Sequence, residues 1–115
     1  MPLFSIAEIP SLELVTGYNA HFIHTPNATY SHVRVKLGHI LPLHSHIHEQ
    51  VSYVLEGEFE LTVEGVAHRL TVGQVFVIPS NIPHSGIGIT DCFILDVFTP
   101  VREDYKLKGG VEVKG

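Results

Sequence analysis

The chain has one cysteine, few basic side chains and no long apolar run, and each of these shortages excludes a class of protein. Cys92 alone cannot form an intrachain disulfide, which favours a reducing compartment such as the cytoplasm. The 7 Lys and Arg against 12 Asp and Glu give a net charge of −5, which argues against nucleic-acid binding. No apolar stretch approaches the roughly 20 residues of a membrane-spanning helix, and no secretory signal is expected at the start. We expect a single domain, residues 1–115.

A 3.6-residue apolar period is missing as well, and the patterns that are present predict strands rather than helices. Residues 30–37 alternate between apolar and polar side chains, as a half-buried strand does. Residues 51–55 and 59–63 flank Glu-Gly-Glu at 56–58, which predicts a hairpin. Residues 106–115 are polar and rich in glycine, which predicts a loose tail or a strand that pairs only in an oligomer. Short strands at close spacing predict an all-β fold, a closed barrel or a jelly roll.

Histidine, by contrast, is abundant, and two of the nine histidines have the spacing of a metal site. His44 and His46 are two residues apart, so on a strand both imidazoles point to the same face. Gln50 follows four residues later, and a turn with two prolines precedes His84. Converging imidazoles supply half of a metal's donors, which predicts a mononuclear site of His44, His46, Gln50 and His84 in a small β-barrel. The six other histidines are expected at the surface and in loops: His21, His24, His32, His39, His48 and His68.

Around these residues the chain resembles the cupin superfamily. The first cupin motif is Gly, five residues, His-x-His, three or four residues, Glu, six residues and Gly. It is matched over residues 38–57 by Gly38, His44, His46, Gln50 and Gly57. The second motif is Gly, five residues, Pro-x-Gly, two residues and His, and it is matched over residues 73–84 by Gly73, Pro79 and His84, with Asn81 replacing the second Gly. Asn tolerates positive φ, so the resemblance still implies a single cupin jelly-roll barrel.

Gln50 departs from the first motif, because most cupins carry Glu at this position. Glu49 is the alternative ligand, but it is one residue out of register and its side chain would point to the opposite face of the strand. Three imidazoles and an amide leave the charge of a divalent cation uncompensated, which strengthens it as a Lewis acid and attracts anions. We expect one divalent transition metal, with Ni, Fe, Mn, Co and Zn all open, and a small anionic substrate.

A second resemblance lies in residues 93–105. Together with the histidine-rich segment, this run is similar to the small cupins of pectin and alginate breakdown, which convert 4,5-unsaturated uronates to their linear keto form. The resemblance implies that Asp96 carries a proton, that Phe98 packs on the sugar, and that Arg102 holds an anionic group. Asp96 also interrupts an apolar strand, where an unpaired carboxylate is costly. A purely structural carboxylate bonded to the backbone or to Arg102 is the alternative.

Two other functions are compatible with the predicted metal site. A metal-dependent dioxygenase would use the same four ligands with a redox-active metal, and a non-catalytic barrel would bind a small ligand as a sensor.

Residues 75–78 and 93–97 are apolar on both faces, although a barrel has only one interior to fill. A homodimer is therefore expected, in which a partner subunit covers the second face.

Overall fold

The computed structural model describes residues 2–115, which form two β-sheets packed against each other. In chain order the strands are β1 (Ser11–Val15), β2 (Tyr18–His24), β3 (Thr29–Val35), β4 (Ile40–His44), β5 (Glu49–Glu56), β6 (Phe59–Val63), β7 (Val66–Leu70), β8 (Val75–Ile78), β9 (His84–Gly88), β10 (Cys92–Thr99) and β11 (Val111–Glu112). The larger sheet has the order β1-β2-β3-β10-β5-β8, with β11 beside β2, and the smaller sheet has the order β4-β9-β6-β7. A 3₁₀ turn (Ile6–Glu8) and helix α1 (Glu103–Lys108) are the helical elements. The all-β jelly-roll prediction is confirmed.

The core lies between the two sheets and follows from the alternation of side chains along the strands. In β2, Tyr18, Ala20 and Phe22 are buried while the residues between them are half-buried. The rings of Tyr18 and Phe59 meet edge to face across the sandwich, with centroids 6.5 Å apart. Each apolar side chain buried in this way contributes about 1.5–3 kcal/mol, so a single shared core holds both sheets together.

The prediction of a hairpin at residues 56–58 is wrong, although the two strands predicted on either side of it, β5 and β6, are present. β5 belongs to the larger sheet and β6 to the smaller one, so the turn passes from sheet to sheet. Gly57 adopts a φ of 80°, and a Cβ at this position would lie 2.1 Å from the backbone oxygen of Asp91. The two-residue hairpin comes next along the chain, where Glu64 and Gly65, both at positive φ, join β6 to β7.

The C-terminal segment differs from the prediction in two respects. It contains helix α1, and it ends in a strand, β11, that pairs in parallel with β2 of the same chain at Ile23 and His24. β1 covers the first half of the same edge of β2, so β11 completes it. A six-residue helix is too short to produce an apolar period, and a long-range strand pairing leaves no local pattern. Neither described helix has the length and hydropathy of a membrane-spanning segment.

The outer face of the larger sheet is apolar and open to solvent. Tyr53, Val75 and Val77 are 37%, 48% and 55% exposed, and Leu55 beside them is 43% exposed. Tyr53 pairs with Val75 across β5 and β8, so these side chains form one continuous surface. No segment of residues 2–115 covers it as a further sheet, and the homodimer stays a prediction.

Candidate metal centre and cavity

Three histidines converge at one end of the smaller sheet, because two strands and one turn bring them together. His44 on β4 lies directly opposite His84 on β9. The turn before His84 contains Asn81 at a φ of 65°, a conformation that Asn tolerates. The backbone N–H of Asn81 donates to the carbonyl of His46 at 2.7 Å. The ring centroids of His44 and His84 are 4.2 Å apart, and those of His46 and His84 are 5.0 Å apart. Their ligand atoms all lie within 4.8 Å of one another.

The hydrogen bonds of these imidazoles determine which ring nitrogen is free. Each Nδ1 lies near the backbone carbonyl of a residue two positions away: His44 near Pro42 (2.8 Å), His46 near His48 (3.0 Å) and His84 near Ile82 (2.8 Å). A carbonyl only accepts hydrogen bonds, so each Nδ1 carries the proton and each Nε2 presents its lone pair. The Nε2 of His84 is buried and has no hydrogen-bond partner within residues 2–115. This is the arrangement expected of metal-binding histidines.

Burial also keeps two of these rings neutral. Burial and, to a smaller extent, the positive charge of Arg102 lower the pKa of His46 to about 4. Burial likewise lowers the pKa of His84. Both imidazoles therefore stay unprotonated at neutral pH, and their lone pairs are available to a cation.

Gln50 lies beside the three histidines, while Glu49 is exposed on the other face of β5. Gln50 is only 5% exposed, and its Oε1 lies 3.1 Å from the Nε2 of His46. Its amide nitrogen donates to the hydroxyl of Ser52 at 3.0 Å and to the carboxylate of Asp96 at 3.2 Å, which fixes the orientation of the amide. The Oε1 atom and the His46 nitrogen are thus two acceptors in contact. A divalent cation between them would satisfy both, so the four side chains fit the expected ion.

Asp96 lines the same cavity as His44 and His84. It lies opposite Ser52 in the pairing of β10 with β5, and the Ser52 hydroxyl donates to its Oδ1 at 2.6 Å. Burial raises the pKa of Asp96 to about 6, and the hydrogen bonds from Ser52 and Gln50 oppose this rise. Ser52 was not among the predicted site residues, although its position two residues after Gln50 puts both side chains on the same face of β5.

Phe98 and Arg102 occupy different positions relative to this cavity. Phe98 lines it, and its ring meets that of His46 edge to face at 5.5 Å. Arg102 does not line it, because its guanidinium stacks 3.5 Å from the ring centroid of Tyr105 and 4.8 Å from that of Phe98. Arg102 also pairs with Asp104 at 2.7 Å, and its Nη1 is a buried donor without a partner within residues 2–115. Tyr105 itself lines the cavity and was missed, since helix α1 was not predicted.

Comparison with known proteins agrees with the fold. The family model described as a cupin domain matches residues 31–98, and the chain belongs to the cupin family. Among curated proteins, it is 34% identical over 64 residues to the pectin degradation protein KdgF of Dickeya dadantii, covering 54% of this chain and 58% of that protein. It is 41% identical over 59 residues to the HTH-type transcriptional regulator PuuR of Escherichia coli, covering 48% of this chain and 31% of the regulator.

The chain thus spans between about a third and three fifths of the length of these curated relatives. A solved structure provides a longer match. The structure of KdgF from Halomonas sp. superposes with a TM-score of 0.85 at 30% identity, covering 91% of this chain and 98% of that one. The expected cupin jelly roll is confirmed, and its three-histidine group can hold a divalent metal ion.

Proposed function

We propose that this cupin is a metal-dependent enzyme that converts a 4,5-unsaturated uronate to its linear keto form. The observation that supports this most directly is the contact between Gln50 and Asp96, which places a carboxyl group with a raised pKa next to the three-histidine group. The likeness to pectin degradation proteins supports the substrate class, because pectin is built from uronate units.

The proposed metal ligands are His44, His46, Gln50 and His84. A divalent ion held by them would supply a Lewis acid that polarises a substrate oxygen. All four side chains are neutral, so none of them offsets the charge of a cation. The site therefore favours an anionic substrate such as a uronate.

Asp96 is the proposed proton carrier. In the conversion of the cyclic unsaturated uronate, the anomeric hydroxyl loses its proton, the bond between C1 and the ring oxygen breaks, and C4 gains a proton. The product is an isomer of the substrate, so the number of protons does not change. Asp96 would take one proton from the anomeric hydroxyl and deliver one proton to C4. Asp96 with a pKa of about 6 can both accept and donate a proton near neutral pH. Gln50 has no proton to exchange, and Ser52 holds the carboxylate in place through its 2.6 Å hydrogen bond.

Phe98 and Arg102 have supporting roles in this proposal. Phe98 lines the cavity beside His46 and offers an apolar surface to the C–H face of a sugar. Arg102 stacks on Phe98 and Tyr105 and fixes both rings. It is paired with Asp104 and does not line the cavity, so its role in this proposal is to position these rings rather than to bind the anionic group directly.

The test is turnover of a 4,5-unsaturated uronate by the purified chain, loaded in turn with Ni, Fe, Mn, Co or Zn. Loss of the ultraviolet absorbance of the conjugated double bond reports the reaction, and chelation should abolish it. Activity with redox-inert Zn would also exclude a dioxygenase. No turnover with any of the five metals would contradict the proposal.

A second candidate function is a non-catalytic barrel that binds a small ligand. The observation that favours it is the 41% identity to part of a transcriptional regulator, over 59 residues. Calorimetry measures binding of a uronate, and the absorbance assay measures its turnover. A sensor would bind the uronate and release it unchanged. Binding without turnover would therefore favour this second function.

A further inference from the structure

A wider groove lies next to the cavity of the candidate metal centre, on the side of helix α1. The cavity has a volume of about 50 Å³ and the groove about 270 Å³. The two spaces are adjacent, because they share four lining side chains: Leu14, Leu41, His44 and Tyr105. We call the wider space the mouth groove. A sugar acid whose reacting atoms reach Asp96 would extend into it.

Lys108 is the one side chain with a permanent charge among the residues that line the mouth groove. The groove wall opposite is mostly apolar, since Leu14, Val15 and Leu41 belong to it. Lys106, two residues earlier on the same helix, forms ion pairs with two acidic side chains. Lys108 is exposed and takes part in no ion pair within residues 2–115. Its ammonium group is therefore free to bind an anion from solution.

A buried histidine fixes helix α1, and with it Lys108. His24 is 1% exposed, so the prediction that it lies at the surface is wrong. Its Nε2 donates to the carbonyl of Gly109 at 2.9 Å, directly after the helix, and its Nδ1 accepts from Thr29 Oγ1 at 2.9 Å. The same hydroxyl accepts the backbone N–H of Arg102 at 2.9 Å, directly before the helix. His24 and Thr29, which are hydrogen-bonded to each other, thus connect the two ends of α1 to the larger sheet.

Tyr105 holds the middle of the helix against the core. Its ring stacks on that of Phe22, with centroids 4.7 Å apart and an interplanar angle of 12°. After the helix, Gly110 packs so closely on Phe22 that a Cβ there would lie 2.6 Å from the Phe22 backbone oxygen. The wall of the mouth groove is therefore built into the fold, and Lys108 stands at a defined position on it.

We propose that Lys108 is a specificity-determining residue that binds a carboxylate on the part of the substrate lying in the mouth groove. The inference rests on the proposed function of the same site and goes beyond it, because it identifies a cation that contacts the substrate outside the cavity. Arg102, the cation that the sequence favours for this role, is already paired with Asp104 and lies behind the rings of Phe98 and Tyr105. Lys108 has neither restriction.

The experiment compares Lys108→Ala, Lys108→Arg and the control Lys36→Ala in the full, metal-loaded chain. Lys36 is also exposed, forms no ion pair within residues 2–115 and lies outside both spaces. Lys36→Ala therefore removes the same positive charge as Lys108→Ala, but away from the site. With the unsaturated uronate, Lys108→Ala should raise KM about fivefold, as expected for an exposed ion pair, and leave kcat within a factor of about two. Lys108→Arg should restore KM, and Lys36→Ala should not change it. Unchanged melting temperatures would show that all three variants fold.

The outcomes distinguish this inference from the proposed function. If the wild-type chain turns over the uronate and Lys108→Ala leaves KM unchanged, the inference is overturned and the function stands. If the wild-type chain shows no turnover, calorimetry with galacturonate and neutral galactose decides. A preference for galacturonate that Lys108→Ala removes would keep the inference and overturn the function. The absence of any such preference would overturn both.

Discussion

Gln50 and Asp96 are in direct contact, because the amide nitrogen of Gln50 donates to Oδ1 of Asp96 at 3.2 Å. The oxygen of the same amide faces His46 Nε2 at 3.1 Å. A single side chain therefore connects the proposed metal ligands to the proposed proton carrier. Since the amide cannot titrate, the exchangeable proton at this end of the cavity belongs to Asp96.

Asp96→Asn should separate chemistry from metal binding. An Asn oxygen can accept the same hydrogen bonds from Ser52 and Gln50, so fold and bound metal should be retained. Turnover should fall by about 10²–10⁴, the usual contribution of a positioned general acid–base. Metal content, melting temperature and kcat are measured side by side with Asp91→Asn, which makes the same change at an exposed carboxylate. Normal turnover by Asp96→Asn would make Asp96 a structural residue.

The pH dependence of stability should reveal the same carboxyl in the metal-free protein. Burial raises its pKa from 3.8 to about 6 in the folded state. The folded state therefore binds more protons between these values, and the contribution of Asp96 to stability is lost as pH rises through about 6. Asp96→Asn should consequently be more stable than wild type at pH 7.5, by about 3 kcal/mol, and no more stable at pH 3.5. Equal stability differences at the two pH values would refute the raised pKa.

The convergence of the histidines could be predicted from spacing, and the structure shows why. His44 and His46 are two residues apart, and the motif turn at Asn81 brings His84 into register with His44. Strand pairing places His44 opposite His84. His46, which was expected on the same strand as His44, lies in the loop between β4 and β5, where its carbonyl accepts the backbone N–H of Asn81. The same local reasoning distinguished Gln50 from Glu49, because neighbouring residues on a strand face opposite ways.

The wall formed by helix α1 could not be predicted in this way. The helix has six residues, which is less than two turns, so no apolar period marks it. The hydrogen bond that anchors its end joins His24 to Gly109, which are 85 residues apart in the chain. Tyr105 and Lys108 reach the site through such distant contacts, and their positions leave no signal in the neighbouring sequence.

Gln50→Glu would test why an amide stands where most cupins have a carboxylate. A Glu can still bind a metal ion, so metal content should be retained. It would, however, place a second acid within hydrogen-bond distance of Asp96 and remove the donor that now stabilises its charge. Like charges raise each other's pKa, so the pH optimum of kcat should move upward, and KM for an anionic substrate should increase. An unchanged pH profile would show that the charge of this ligand does not affect Asp96.

His84→Ala should remove metal and activity together. The Nε2 of His84 is a buried acceptor without a partner within residues 2–115, and truncation leaves two imidazoles and one amide. His68→Ala is the matched control, because His68 packs on Phe76 and is not part of the three-histidine group. Metal content after dialysis and kcat with a uronate are the two measurements. Full metal retention by His84→Ala would require a different set of ligands.

The apolar outer face of the larger sheet should form a homodimer. Val75 and Val77 are 48% and 55% exposed, and a stable interface buries about 800 Å² on each partner. Light scattering at micromolar concentration should give twice the mass of the 12.7 kDa chain. Val77→Lys should reduce the measured mass to that of the monomer, because burying an unpaired ammonium group at the interface is costly. Val66→Lys makes the same change at a 57% exposed valine on the smaller sheet and should leave the dimer intact. A monodisperse monomer for the wild-type chain would contradict the prediction, and the outer face would then be solvated in the free protein.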